Sequence, residues 1–216
     1  MKRFENKKVI VTGAASGIGK AVAQQFLDQG ATVGLLDIDE KELNAFVAGT
    51  KGQAIYRVVD VSKGEELLQA VTELAQELAG IDILHVNAGI NGTWTTIEEL
   101  SLEDWDRTIS TNLRSTFVTV KAAIPFLKVN GGSIVITSSV NGNRIFKNFG
   151  ATAYSTSKAG QVAFMKMAAL ELSGYNIRVN AICPGAISTN IGENTAIEEA
   201  IEKIKIPIVF PERERP

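Results

Sequence analysis

The sequence predicts an α/β fold: one doubly wound domain over residues 1–216, with a parallel sheet flanked by helices. Short β-branched runs alternate with longer helical patterns along the whole chain, which implies right-handed βαβ crossovers. The runs are continuously apolar rather than strictly alternating, as strands covered on both faces require. The first of them enters a glycine-rich turn that opens a helix.

The strands expected in order are "KVIVTG" (8–13), "ATVGLLD" (31–37), "AIYRVVD" (54–60), "IDILHV" (81–86), "GSIVITS" (132–138) and "NIRVNAI" (176–182). Helical patterns lie between them, over 17–29, 39–48, 62–78, 101–128 and 153–173. No repeat, low-complexity block or linker divides the chain, and 216 residues suit one domain with a substantial core.

Hydrophobic residues make up 45% and charged residues 21%, in the ordinary globular range. A formal net charge of −2 carries no footprint for nucleic acid or an anionic membrane. The lone cysteine, Cys183, cannot form an internal disulfide, which fits a reducing interior. The start "MKRFENKKVIVTG" is too charged for a signal peptide, and no apolar run approaches the roughly 20 residues of a membrane helix. The expectation is a soluble cytoplasmic protein.

The first turn reads "TGAASGIGKAVAQQF". Gly13, Gly17 and Gly19 let the backbone turn tightly and leave room for a ligand to come close. The helix that follows offers unpaired N–H groups and a positive dipole end, a seat for pyrophosphate. The spacing is G-x-x-x-G-x-G rather than the common G-x-G-x-x-G. A P-loop fits worse, because the spacing before Lys20 is off by one and Ala21 replaces the metal-binding Ser or Thr. Tight packing alone is the alternative reading.

Asp37 ends the second strand, 18 residues after Gly19, near the spacing at which a carboxylate accepts from adenosine ribose hydroxyls. A 2′-phosphate there would meet Asp37, with Asp39 and Glu40 close behind and no Arg or Lys between Lys20 and Lys41. NAD is therefore expected in preference to NADP. The alternative is that Asp37 caps the next helix.

"ATAYSTSKAG" sets Tyr154 and Lys158 four residues apart, on one face of a helix. A phenol with a pKa of about 10 is a poor acid or base at neutral pH, and a nearby ammonium would move it down. A solvent-facing helix that happens to carry both residues is the other reading.

With these pieces in place, the chain resembles the classical short-chain dehydrogenase/reductase family over about residues 6–192. The resemblance is carried by "TGAASGIG" (12–19), "DV" (60–61), "NAG" (87–89), Asn112 in "STNLRS", "ITSS" (136–139), "YSTSK" (154–158) and "CPGAISTNI" (183–191). It implies a Rossmann-type oxidoreductase that interconverts a secondary alcohol and a ketone with NAD(H). Tyr154 would be the general acid/base, and Lys158 would lower its pKa and bond the nicotinamide ribose. Ser139 would hydrogen-bond the substrate oxygen, with Ser138 the competing choice. Asn112 would hold a water linking Lys158 to solvent, unless it only caps or kinks its helix.

The same comparison makes other positions cofactor-facing. Ser16 and Ile18 lie in the phosphate loop with Gly13, Gly17 and Gly19. Asp60 and Val61 would flank the adenine. Asn87, Ala88 and Gly89 follow the fourth strand, where the carboxyl ends of the sheet open onto a crevice. Pro184, Gly185, Ile187 and Thr189 follow the sixth strand, Thr189 placed to bond the carboxamide. An NADPH-linked ketoacyl reductase and an idle dinucleotide sensor or scaffold are the rival functions. Expected partners are a small alcohol or ketone and further copies of the chain, as tetramer or dimer.

His85 is the only histidine, so a hydrolase triad or a histidine-rich metal site would rest on it alone. Its place in the fourth strand reads as a packed or hydrogen-bonded side chain, and no metal is expected. Cys183, Trp94 and Trp105 read as packing or interface residues, and "EELSLEDWDR" (98–107) as a solvated helix start.

Three departures from the family stand out. Val86 replaces an asparagine common before "NAG". "SVNGNRIFKNFGATAY" (139–154) is slightly longer than usual, and its Arg144, Phe146 and Phe149 are placed to shape a substrate pocket. After the sixth strand come a candidate lid helix, "ENTAIEEAIEKIK" (193–205), and "IPIVFPERERP". Either the chain is shortened or the sheet lacks its usual C-terminal edge strand, which would expose a pairing edge.

Overall fold

A computed structural model describes residues 2–144, 148–187, 191–192, 195–199 and 201. Apolar β-branched runs form strands β1 (Lys8–Thr12), β2 (Thr32–Asp37) and β3 (Ala54–Val58), linked by helices α1 (Gly17–Asp28) and α2 (Glu40–Gly49). Helix α3 (Gly64–Glu77) crosses to β4 (Ile83–Val86), and a two-residue strand β5 (Thr93–Trp94) follows. Then come α4 (Leu102–Ile109), a π turn (Ser110–Arg114), α5 (Ser115–Leu127), β6 (Gly132–Thr137), α6 (Thr152–Leu172), β7 (Ile177–Ile182) and β8 (Ala196–Ile197).

The main sheet runs β3-β2-β1-β4-β6-β7, and every neighbouring pair is parallel. The strand order reverses between β1 and β4, so the connections leaving their carboxyl ends diverge and open a crevice. Alternate side chains of each strand feed two apolar layers, which is why the runs lack polar alternation. On β1, Val9 and Val11 pack with Ala23 and Leu27 of α1 and Leu43 of α2. Ile10 joins the opposite layer with Leu74 of α3, Leu127 of α5 and Ile134 of β6. Each such buried Leu or Ile contributes about 1.5–3 kcal/mol by leaving water.

Two helix starts follow their local chemistry. Asp39 caps α2 by accepting from Glu42 N at 3.0 Å, and Ser101 caps α4 by accepting from Asp104 N at 3.0 Å. Asp37, the alternative candidate for this cap, instead accepts from Asp39 N.

The long helix expected over 101–128 runs without a gap from Leu102 to Leu127 and carries a π turn at Ser110–Arg114. One expectation needs correction. The lid helix over 193–205 is not what its described residues form: Ala196 and Ile197 pair as a parallel strand with Thr93 and Trp94. A partner distant in sequence satisfies that backbone, a contact no local periodicity announces. The remainder of that stretch, 193–194, 200 and 202–205, lies outside the described residues. Among the described residues β7 is the edge of the main sheet, with Arg178 and Asn180 exposed.

Candidate active site

A cleft of about 1010 Å³ runs along the carboxyl ends of the strands. One end is lined by Gly13, Ser16, Gly17 and Ile18 of the first turn. Gly13 has φ +66°, and a β-carbon there would lie 2.9 Å from Ala88 Cα, so the turn admits only glycine without strain. A β-carbon at Gly19 would overlap the Gly13 carbonyl. Gly19 therefore does not line the cleft; it lets α1 start directly against the loop. Ser16 precedes α1 without a side-chain cap bond, leaving the first-turn amides to a ligand.

At the end of β2, Asp37 lines the same cleft. Its Oδ2 accepts from Ala15 N at 2.9 Å and its Oδ1 from Asp39 N at 3.1 Å. The carboxylate thus ties the glycine turn to β2. Asp60 and Val61 form the neighbouring wall, where Asp60 Oδ1 accepts from Ser62 N at 2.9 Å.

The middle of the cleft is floored by Asn87, Ala88 and Gly89 after β4. Thr12 Oγ1 accepts from Asn87 N at 2.9 Å and Ala88 N at 3.1 Å, and Asn87 Nδ2 donates to the Gly13 carbonyl at 3.3 Å. The β1 and β4 loops are therefore locked together. A β-carbon at Gly89 would stand 3.3 Å from Lys158 Nζ and 3.0 Å from Asn112 Oδ1, so this glycine keeps open the space above both groups.

Tyr154 and Lys158 stand on one face of α6, both lining the cleft. Lys158 is buried, 3% exposed, and its Nζ donates to the Thr137 carbonyl at 2.9 Å. Burial pulls its ammonium down to about 8, against a smaller raising influence from Cys183. Lys158 Nζ lies 5.7 Å from the centroid of the Tyr154 ring.

Burial raises the Tyr154 phenol above its ordinary value, and the Ser139 side chain opposes that rise. The net shift is upward, whereas the sequence reading expected a lowering by Lys158.

The two adjacent serines both line the cleft and differ in their contacts. Ser138 Oγ donates to the Lys158 carbonyl at 2.8 Å, which ties β6 to α6. Ser139 lines the cleft and meets Tyr154. Asn112 is fully buried within the π turn and does not line the cleft. Its Nδ2 donates to Ile90 O and Ser157 Oγ, both at 2.9 Å, and its Oδ1 accepts from Ile90 N at 2.8 Å. Its main-chain carbonyl accepts from Gln161 Nε2 at 2.9 Å and Thr116 Oγ1 at 2.8 Å.

Pro184, Gly185 and Ile187 line the cleft after β7. Thr189 lies outside the described residues, as does Phe146.

The sequence reading missed several groups. Asn91, Trp94, Arg107, Asn141 and Asn148 line the cleft beyond Tyr154. Trp94, read as packing, is brought there by the β5–β8 pairing. Gln161 carried a usable signal: Tyr154, Lys158 and Gln161 follow i, i+4, i+7 on one helix face.

His85 is hydrogen-bonded rather than a ligand or nucleophile, its Nε2 lying 2.9 Å from Thr137 Oγ1. Burial lowers its pKa to about 4, so it is neutral at pH 7. Among the described residues there is no group of three His, Cys, Asp or Glu placed to hold a metal, and no helix is long and apolar enough to cross a membrane. The glycine cradle, the free helix start and the carboxylate at the end of β2 fit a dinucleotide.

Comparison with known proteins agrees with this geometry. Residues 7–200 match the family model described as short chain dehydrogenase. A 3-oxoacyl-[acyl-carrier-protein] reductase of Thermotoga maritima is 39% identical over 211 residues, covering 94% of this chain and 85% of that protein. A short chain dehydrogenase from Burkholderia cenocepacia J2315, solved with NADP, superposes with TM-score 0.83 at 32% identity, covering 88% of this chain and 78% of that one. An NAD+-bound xylitol dehydrogenase superposes with TM-score 0.80 at 34% identity, covering 85% of this chain and 72% of that one. The chain belongs to the short chain dehydrogenase family and is an oxidoreductase of CH–OH groups that binds a nicotinamide dinucleotide.

Proposed function

We propose that the protein interconverts a secondary alcohol and a ketone, with NAD as the preferred cofactor. The observation that carries this reading is that Ser139, Tyr154 and Lys158 line the same cleft as the glycine turn. The bound nicotinamide supplies or accepts the hydride. The protein's own part is to bind the two molecules edge to edge and to manage one proton.

Tyr154 gives its phenolic proton to the carbonyl oxygen in reduction and takes one from the hydroxyl in oxidation. Ser139 holds the same oxygen by a second hydrogen bond. Lys158 bonds the nicotinamide ribose and, when charged, favours the phenolate. Asn112 Oδ1 keeps a second lone pair beside the space it shares with Lys158, where a water would link the ammonium to solvent. Thr189, by the family resemblance, bonds the carboxamide.

Asp37 supports the cofactor preference. Its carboxylate lines the cleft and would accept from ribose hydroxyls, whereas a 2′-phosphate would press against its charge. The 39% identity to a 3-oxoacyl reductase supports a 3-oxoacyl thioester as an alternative ketone, reduced with NADPH. The family resemblance also supports a homo-oligomer and a cytoplasmic location.

The test is a coupled screen of alcohols, sugars, ketones and 3-oxoacyl thioesters with NAD(H) and NADP(H). Turnover with NAD(H) that disappears in Tyr154→Phe is the expected result. Undiminished turnover in Tyr154→Phe would refute the assignment.

A further inference from the structure

We infer that His85 is a positioning residue for Lys158, acting through Thr137 to hold the carbonyl on which the Lys158 side chain rests. The inference builds on the roles proposed above for Tyr154 and Lys158.

The β4–β6 ladder ends at the Val86–Ile136 pair. Thr137 is the next residue of β6, so on the β4 side no strand partner holds it. Its carbonyl is nevertheless the acceptor for Lys158 Nζ at 2.9 Å, the sole hydrogen-bond partner of that nitrogen among the described residues. His85 supplies the missing tie: its Nε2 reaches across from β4 to Thr137 Oγ1 at 2.9 Å. All three residues are buried, at 3% for His85, 7% for Thr137 and 3% for Lys158. The series runs from His85 through the Thr137 side chain and main chain to the ammonium beside Tyr154.

The tautomer follows from the surroundings. His85 Nδ1 is buried without a partner among the described residues. An orphaned buried N–H is rarer than an orphaned acceptor. The proton therefore sits on Nε2 and is donated to Thr137 Oγ1. A neutral imidazole so placed fixes the end of β6 without adding charge next to Lys158. The titratable groups facing Lys158 are then Tyr154 and Cys183.

A merely structural histidine would change stability and leave the chemistry alone. The experiment compares His85→Phe, which keeps a bulky ring and loses the donor, with Thr137→Val, which loses the hydroxyl and keeps the carbonyl. Each is expected to lower kcat about ten- to a hundredfold, since a misplacement of about 1 Å in a reacting constellation can cost about a hundredfold. KM and cofactor affinity stay near wild type. The double variant is no slower than the worse single variant, as for two members of one chain. His85→Gln, whose side-chain N–H can occupy the Nε2 position, recovers most of the rate.

A second readout needs no turnover. Lysine side-chain carbon NMR, assigned with Lys158→Met, follows the ionisation of Lys158. Loosening its carbonyl partner moves that ionisation to lower pH in both His85→Phe and Thr137→Val. Unchanged kcat and unchanged Lys158 titration in folded Thr137→Val would overturn the inference. Equal losses in His85→Phe and His85→Gln would also overturn it, by showing a packing role. Absence of turnover in the wild-type protein would instead sink the proposed function, while the NMR titration would still decide the His85 tie.

Discussion

Asn112 and Ile90 exchange two hydrogen bonds, Nδ2 to the Ile90 carbonyl at 2.9 Å and the Ile90 N–H to Oδ1 at 2.8 Å. A side-chain amide here imitates a strand partner for the loop that floors the cleft. The π turn makes this possible by displacing one residue from the regular ladder, a distortion often found at functional sites. Replacing Asn112 with Leu leaves the N–H and carbonyl of half-buried Ile90 without their partner. Unsatisfied groups of this kind cost about 1–3 kcal/mol each. Chemical denaturation should therefore show a loss of about 2–4 kcal/mol, accompanied by a fall in kcat.

Tyr154→Phe removes the one hydroxyl that the proposed chemistry requires and keeps the ring. Turnover should fall by about two to four orders of magnitude, the usual worth of a positioned acid or base. NAD affinity, measured by fluorescence titration, should change little. Retention of the wild-type rate would mean that another group handles the proton.

Asp37 both lines the cofactor cleft and accepts from Ala15 N. Asp37→Ala removes both roles at once and should narrow the gap between NAD and NADP affinity, and a wider gap would count against the ribose assignment. Asp37→Asn separates the roles, because its amide oxygen can still accept from Ala15 while the charge is gone. It should narrow the same gap by roughly tenfold, the size of about 1.4 kcal/mol of relieved repulsion. Titration of each variant with both cofactors gives the comparison.

His85 predicts a pH dependence of stability. Its pKa is about 4 in the fold against an ordinary 6.5, so between those values the unfolded chain binds more protons than the native one. Stability from this residue is complete above pH 6.5 and is lost as pH falls toward 4, approaching about 3 kcal/mol at the acid end. Urea denaturation of wild type at pH 7 and pH 5 should reveal the loss, and His85→Phe should flatten it. An equally steep loss in that variant would place the acid sensitivity elsewhere.

Much of the fold was legible because its signals are local. Apolar runs such as Val9–Val11 and Ile134–Ile136 mark strands whatever lies around them, since both faces of each are covered. The glycines at 13, 17 and 19 and the Tyr154–Lys158 spacing are likewise properties of a few consecutive residues. Asp37 lies on the cleft wall, 18 residues beyond Gly19 in the sequence.

Tertiary structure alone decided the rest. Which serine faces Tyr154 depends on Ser138 being held by the Lys158 carbonyl, a contact 20 residues away in sequence. The strand at Ala196–Ile197 exists because Thr93–Trp94 lies beside it, where an isolated reading finds a helix. The rise in the Tyr154 pKa reflects burial, which spacing along the helix does not announce. Periodicity and motif spacing are read from neighbours along the chain, whereas desolvation and long-range pairing exist only once the sheet and helices have closed around the cleft.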